Sequence, residues 1–191
     1  MSAPTLARAA CTSNDDDDRV LVERCRHGDR EAFTALVVRY QRPIYNAAFW
    51  VLHKAEDASD ISQIVFLKVA ERLDDYDPKY KFFSWIYRIA VNESLNLLRR
   101  KGHEEELDEE MDVPGADSAD PLWQLSAAER SKRVLSTLKS MATNDRVVLS
   151  LRHFSECSYQ EMAQILELDE KTVKSRLFEA RQRLRGLLKD L

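Results

Sequence analysis

The stretch Ser158-Tyr-Gln-Glu-Met-Ala-Gln-Ile-Leu-Glu-Leu-Asp-Glu-Lys-Thr-Val-Lys-Ser-Arg-Leu-Phe-Glu-Ala-Arg-Gln-Arg-Leu184 decides the fold. Met162, Ala163, Ile165 and Leu166 gather on one face of a helix that Ser158 can cap. Leu168-Asp169 forms a turn, and Asp169 caps a second helix with Glu170 in its first turn. In that helix Val173, Leu177, Ala180 and Leu184 recur at i, i+4, i+7 and i+11, which makes a buried stripe. Ala163 stands where two helices cross closely, and Val173 fills the same crossing. The pattern is helix-turn-helix, a unit that lays its second helix in a major groove. Lys171, Lys174 and Arg176 put positive charge along the exposed side, and Arg181, Arg183 and Arg185 extend it. Such cations neutralise phosphates, while Lys174 and Ser175 have the reach for base edges. Two residues run against this reading. Glu167 occupies the turn where glycine adopts the left-handed conformation more easily, and Glu179 subtracts charge from the basic side. The blander alternative is a helical hairpin that binds protein.

This block begins near Ser126. Val134, Leu135, Leu138 and Met141 mark one further helix, and Val147, Val148 and Leu151 another, capped by Thr143 or Asn144. Before it lies residues 102–125, with no Lys or Arg and nine acidic residues. Self-repulsion, two prolines and few large apolar groups make this strip a flexible linker. Its extended reach is at most ~80 Å at about 3.3 Å per residue.

The other block, residues 19–101, is also helical by period. An Asp near Asp18 caps a helix from Arg19, with Leu21, Val22 and Cys25 on its apolar face. Gly28-Asp29 ends it and caps the next, in which Ala32, Phe33, Leu36, Val37 and Tyr40 recur. Ile44, Ala47, Ala48 and Val51 continue the pattern beyond Pro43. After a polar turn from His53 to Asp57, Ile61, Ile64, Val65, Leu67 and Val69 form an apolar set. Asp74-Asp75-Tyr76-Asp77-Pro78 is a stop signal. The segment Lys81 to Lys101 then interleaves aromatic and basic residues. Trp85, Ile89, Leu95 and Leu98 can face a core, while Tyr87, Arg88, Asn92, Asn96, Arg99, Arg100 and Lys101 stand between them. Exposed rings beside cations suit unpaired bases, because stacking needs an open base face. Core packing is the competing use of those rings, most of all for Phe82, Trp85 and Tyr87. Asn92 and Asn96, four residues apart beside Arg99 and Arg100, are poor core residues and good readers of a base edge.

Composition excludes much else. The chain has 191 residues and a formal charge of −4, with 44% apolar and 32% charged residues. That suits one medium or two small soluble domains and no global disorder. Four Gly and five Pro argue for helices over a turn-rich all-β chain. No apolar run is long enough for a membrane span. Residues 1–18 hold four consecutive Asp and no apolar core, so they read as a disordered acidic tail and not as a secretory signal. Three scattered Cys fit a reduced, cytoplasmic protein. Cys25 reads as a core residue and Cys157 as a turn residue. No phosphate loop, zinc pair or nucleophile elbow is present, and Cys25-Arg26-His27 lacks the partners for a metal site. Neither catalysis nor a cofactor is expected. The fold expected is all-α: two small helical domains, 19–101 and 126–191, joined by the acidic linker.

Several segments together resemble the extracytoplasmic-function group of bacterial sigma factors, the short kind with only domains two and four. Leu21-Val-Glu-Arg, Gly28-Asp29, Ala32-Phe33 and Leu36-Val-Val-Arg-Tyr40 resemble its opening helix pair. Asp57-Ala-Ser-Asp60-Ile-Ser-Gln63 with Phe66-Leu-Lys68 resembles the helix that grips the polymerase clamp. Trp85-Ile-Tyr-Arg-Ile-Ala-Val-Asn92 resembles the segment that reads and opens the minus-ten element. Ser158-Tyr-Gln-Glu-Met-Ala163 and Thr172-Val-Lys-Ser-Arg176 resemble the minus-thirty-five helix-turn-helix. The resemblance implies a non-enzymatic subunit of RNA polymerase that directs promoter recognition and DNA opening. Its partners would be core polymerase, through the β′ clamp coiled coil and the β subunit, and promoter DNA. Asp57, Asp60 and Gln63 would dock on the clamp. Trp85, Arg88, Asn92, Asn96, Arg99 and Arg100 would serve the minus-ten element. Arg152, Lys171, Thr172, Lys174, Ser175, Phe178 and Arg181 would serve the minus-thirty-five duplex.

The clamp helix departs from the family pattern. Ser59 stands where an acid is usual, Ile64 replaces the usual acid after Gln63, and Ser62 lies between. Some relatives are switched on by a Ser/Thr kinase, and a phosphate brings about −1.5 to −2 charge. Ser59 and Ser62 are therefore candidate phosphorylation sites. An anti-sigma factor is the other expected mode of control. The rival reading is a two-domain helix-turn-helix regulator that binds duplex DNA without polymerase.

Overall fold

The computed structural model describes residues 15–101 and 136–189, and these residues contain helices and no strand. Residues 1–14 and the strip 102–125 lie outside the described residues, as do Val134 and Leu135.

Helix α1 (Asp15–Arg26) starts earlier than the sequence suggests, and its first turn is four aspartates. Asp18 is not a cap. It is buried and accepts hydrogen bonds from the Arg39 guanidinium and the Tyr40 hydroxyl of the next helix. A carboxylate can be buried because both partners are there to replace water. Asp15 to Asp18 thus belong to the first domain and not to a tail.

Helix α2 (Arg30–Leu52) begins at Asp29, whose carboxylate accepts the amides of Glu31 at 2.9 Å and Ala32 at 3.2 Å. The helix runs straight through Pro43, which costs it one backbone donor. Burial holds that stretch, since Tyr40, Ile44, Ala47 and Ala48 lie against the other helices, and the Tyr87 hydroxyl donates to the Pro43 carbonyl at 3.2 Å. His53 ends α2 in the left-handed conformation, φ 54°.

Helix α3 (Ala55–Arg72) starts inside the stretch expected to be a turn. It buries Ala58, Ile61, Val65 and Val69 at i, i+3, i+7 and i+11. Ile64 and Leu67 fall off that stripe and are exposed, against the expectation that they join the apolar set. A short 3-10 turn at Leu73–Asp75 leads to α4 (Phe82–Lys101), which crosses both α2 and α3.

In the second domain, residues 136–140 are helical and are followed by α5 (Thr143–His153), α6 (Tyr159–Leu166) and α7 (Glu170–Lys189). Ala142 is the N-cap residue of α5 and gives no side-chain bond, so neither Thr143 nor Asn144 caps it. Val147, Leu149 and Leu151 of α5, Met162 and Ile165 of α6, and Val173, Leu177 and Ala180 of α7 form the interior, with Cys157 buried between α5 and α6.

The two bundles touch. Helix α2 meets α5, and α4 meets α6. Trp50 stacks on Phe154 with ring centroids 3.7 Å apart and planes 9° from parallel. Lys81 pairs with Glu161 and Arg88 with Glu167, each at 3.2 Å.

Candidate nucleic-acid interface

Helix α4 carries the first set of candidates. Its aromatic residues are mostly interior: Phe82, Phe83, Trp85 and Tyr87 are all buried. Trp85 is 8% exposed and packs against Tyr76 and Phe82, with centroids 5.6 and 5.7 Å away. Its ring is therefore core, as the reading of Phe82, Trp85 and Tyr87 as packing residues expects, and offers no open face to a base in this arrangement. Of the rings in this region, Tyr80 is exposed. Asn92 is exposed on α4, and Asn96, one turn on, is half-buried. The Asn96 amide oxygen accepts from Arg99 at 3.1 Å. Arg99 and Arg100 are exposed at the C-terminal end, where cations suit the helix dipole. Arg88 lies nearer the other domain, in its pair with Glu167. Asn92, Asn96, Arg99 and Arg100 thus lie along the C-terminal half of α4, Arg88 one turn before Asn92 is paired with Glu167, and Trp85 is in the core.

Helix α3 presents Ser59, Asp60, Gln63, Ile64 and Leu67 to solvent, with Ser62 at the margin. Asp57 is less available. Both its oxygens accept from the Lys101 ammonium, at 2.7 and 2.6 Å, which ties the start of α3 to the end of α4. Leu67 is 64% exposed and was missed as a surface residue because its apolar character reads as core.

The helix-turn-helix is α6 and α7. Ser158 and Glu161 form a reciprocal capping box, with the Glu161 amide donating to the Ser158 hydroxyl at 3.2 Å and the Ser158 amide to the Glu161 carboxylate at 2.8 Å. Burial alone would raise the Glu161 pKa, but the two bonds with Ser158 and the Lys81 ammonium outweigh it and hold the carboxyl below its ordinary value. Glu167 takes the left-handed turn position at φ 54°, so a non-glycine residue serves there. Asp169 caps α7: its carboxylate accepts the Thr172 amide at 2.8 Å and the Thr172 hydroxyl at 2.7 Å. Thr172 therefore works first as a capping partner. Its hydroxyl and amide hold the Asp169 carboxyl below its ordinary pKa.

Lys171, Lys174, Ser175, Phe178 and Arg181 share the outer side of α7 and are exposed. Phe178 is 62% exposed and takes no part in the core. Arg181 leans on His153, with Nε to Nε2 at 3.3 Å. Arg183 does not extend the basic side as expected. Though exposed, it spends its charge on Asp145 of α5, with bonds of 2.7 and 2.8 Å. Arg152 reaches from α5 to the Cys157 carbonyl at 2.8 Å, with its guanidinium 5.1 Å from the centre of the Tyr159 ring. The Lys174 ammonium lies 5.3 Å from the same ring. Tyr159 was not among the expected site residues, since one tyrosine beside a helix cap gives no distinguishing signal in sequence.

Among the described residues, no cluster of His, Cys, Asp or Glu fits a metal ion, and no helix is long and apolar enough to cross a membrane.

Comparison with known proteins agrees with both halves. Residues 36–104 match sigma-70 region 2, and residues 131–184 match sigma-70 region 4. The RNA polymerase sigma-H factor of Pseudomonas aeruginosa is 30% identical over 186 residues, spanning 92% of this chain and 96% of that protein. The ECF RNA polymerase sigma-E factor of Escherichia coli K12 is 33% identical over 174 residues, spanning 86% and 91%. Among solved structures, CnrH in complex with the cytosolic domain of CnrY superposes with a TM-score of 0.70 at 29% identity, over 92% of this chain and 99% of that one. RpoE of Bartonella quintana, solved with the anti-sigma factor NepR, shares the fold with a TM-score of 0.66 at 22% identity, over 82% and 96%.

Proposed function

The chain belongs to the sigma-70 family, in its extracytoplasmic-function group, and from that premise we propose how its surfaces divide the work of transcription initiation. The exposed side of α3 docks on core polymerase through Asp60 and Gln63, with Leu67 as an apolar centre and Asp57 held back by Lys101. The patch of Asn92, Asn96, Arg99 and Arg100 holds the separated minus-ten strand. Lys171, Lys174, Ser175 and Phe178 contact the minus-thirty-five duplex, and Lys174, Arg152 and Arg181 neutralise its backbone. The protein works in the cytoplasm, without a cofactor. DNA opening draws on binding energy: cations and amides trap bases that have left the stack.

The observation that carries this reading is the pairing of an exposed amide-and-arginine patch on α4 with an exposed basic helix on α7, one in each family-matched domain. Promoter elements centred near minus ten and minus thirty-five are about 25 base pairs apart, or about 85 Å at 3.4 Å each. Two domains in mutual contact cannot span that distance, so the α2–α5 and α4–α6 contacts open before both elements are engaged.

Control acts on the same surfaces. Ser59 is exposed beside Asp60, and phosphate there would restore the charge that the clamp helix lacks. Ser62 is less accessible. Anti-sigma control fits too, since CnrH and RpoE were each solved bound to such a cytosolic or anti-sigma partner.

Reconstituted transcription tests the reading. Core polymerase with this chain should start transcripts from a subset of a promoter library, and core alone should not. Duplex binding unchanged by core, with no transcripts, would sink it in favour of a core-independent regulator.

A further inference from the structure

The basic side of α7 raises a question of precision. Lysine is a flexible point charge, and a side chain that must be ordered on binding loses part of the affinity it brings. Lys174 is already held in place. On one side its ammonium meets Glu170 at 3.3 Å, an exposed pair that by itself restrains little. On the other it lies 5.3 Å from the centre of the Tyr159 ring, and Arg152 lies 5.1 Å from that same centre. A ring face attracts cations at these distances. Three helices converge here. Arg152 comes from α5, Tyr159 opens α6, and Lys174 is in the second turn of α7. Arg152 is fixed a second time by the Cys157 carbonyl at 2.8 Å. Tyr159 is itself anchored, because it follows the capping residue Ser158 directly and packs partly against the core.

We propose that Tyr159 is a positioning residue of the duplex-reading face, its ring holding Arg152 and Lys174 as one preset clamp for the DNA backbone. The inference rests on the reading of α7 as the duplex helix. It adds that the clamp is ordered before DNA arrives, and that an aromatic ring orders it.

The test uses the full chain with core polymerase, on a duplex promoter recovered with the wild-type protein. Tyr159→Phe keeps the ring and Tyr159→Leu removes it. Tyr159→Leu is expected to weaken duplex retention about three- to tenfold, and Tyr159→Phe by less than about twofold. In a cycle with Lys174→Ala, Tyr159→Leu should cost clearly less than it does in the wild-type background, because part of what it orders is already gone. Side-chain NMR of the chain without DNA reads the geometry directly. The Lys174 ε-methylene signal should show an upfield ring-current shift in the wild type and in Tyr159→Phe, and lose it in Tyr159→Leu. Equal losses for Phe and Leu, full additivity with Lys174→Ala, or an unshifted wild-type Lys174 signal would overturn the proposal. A wild-type chain that retains no duplex even with core overturns the sigma-factor reading and this one together. Wild-type retention with an unaffected Tyr159→Leu overturns this one alone.

Discussion

Asn92 and Lys174 carry comparable polar side chains to opposite ends of the initiation process. Asn92 is exposed on α4, about two turns before Arg99 and Arg100, and its amide can pair with one base edge. Lys174 faces the duplex side of α7, and its ammonium acts chiefly on backbone charge. Asn92→Ala should slow promoter opening about tenfold, one bidentate contact's worth, and leave closed-complex affinity nearly unchanged. Lys174→Ala should weaken the closed complex and lower the slope of log affinity against log salt by about one. Permanganate footprinting separates opening from binding, and identical defects in both assays would refute the division. At this scale the sequence named Phe82, Trp85 and Tyr87 as core candidates, and all three are buried, but it could not say what would enclose them. Interleaved aromatic and basic residues showed that α4 is amphipathic. They could not show that Tyr76 and Phe82 enclose Trp85, because that contact is set by tertiary packing. The same blindness hid Tyr159, whose partners come from two other helices.

Helix ends were mostly legible, because a cap needs only a short-range bond. Asp29, Ser158 and Asp169 cap where the sequence places them. Two cap readings fail: Asp18 is drawn inward by Arg39 and Tyr40, and α5 starts from Ala142 with no side-chain cap, so neither Thr143 nor Asn144 serves. Ser158→Ala removes one arm of the capping box and should cost about 1 kcal/mol in urea unfolding of the second domain. An unchanged midpoint would mean that α6 is held by packing alone. Helix α3 poses a different question, since its exposed side sets Ser59 beside Asp60 and carries the apolar Leu67. Ser59→Glu should raise affinity for core polymerase several-fold at low salt, and the gain should shrink as salt screens it. Ser59→Ala should match the wild type purified without kinase. Equal affinity of the Glu and Ala variants in a titration against labelled core would show that Asp60 and Gln63 suffice.

Across the whole molecule, the contact between domains sets what the free chain can do. Trp50 on Phe154 holds α2 against α5, and Lys81 with Glu161 and Arg88 with Glu167 hold α4 against α6. No pattern in the sequence announces this contact, whose ion pairs join residues about eighty positions apart and whose ring pair joins residues still farther apart. At its edge sits His53, buried, left-handed, and with neither ring nitrogen hydrogen-bonded among the described residues. Burial, together with Arg146 and Lys139 of the second domain, lowers its pKa to about 4. The folded, closed chain therefore keeps His53 neutral, while a hydrated His53 titrates near 6.5. Above pH 6.5 both forms are neutral and the contact has its full strength. Between 6.5 and 4 only the hydrated form gains a proton, so stability falls with falling pH, by at most about 3 kcal/mol across the window. Separating the domains removes both cations and admits water, so acid should favour separation before it unfolds either bundle. Small-angle scattering should show the radius of gyration rising as pH drops from 6.5 toward 4.5. His53→Asn tolerates the left-handed backbone and cannot titrate there, so it should hold the closed radius through the same range. The Glu161 carboxyl is held below its ordinary pKa by Ser158 and Lys81, which separates its loss from that of His53. Coincident scattering profiles for the wild type and His53→Asn would remove His53 from the account of how the domains part.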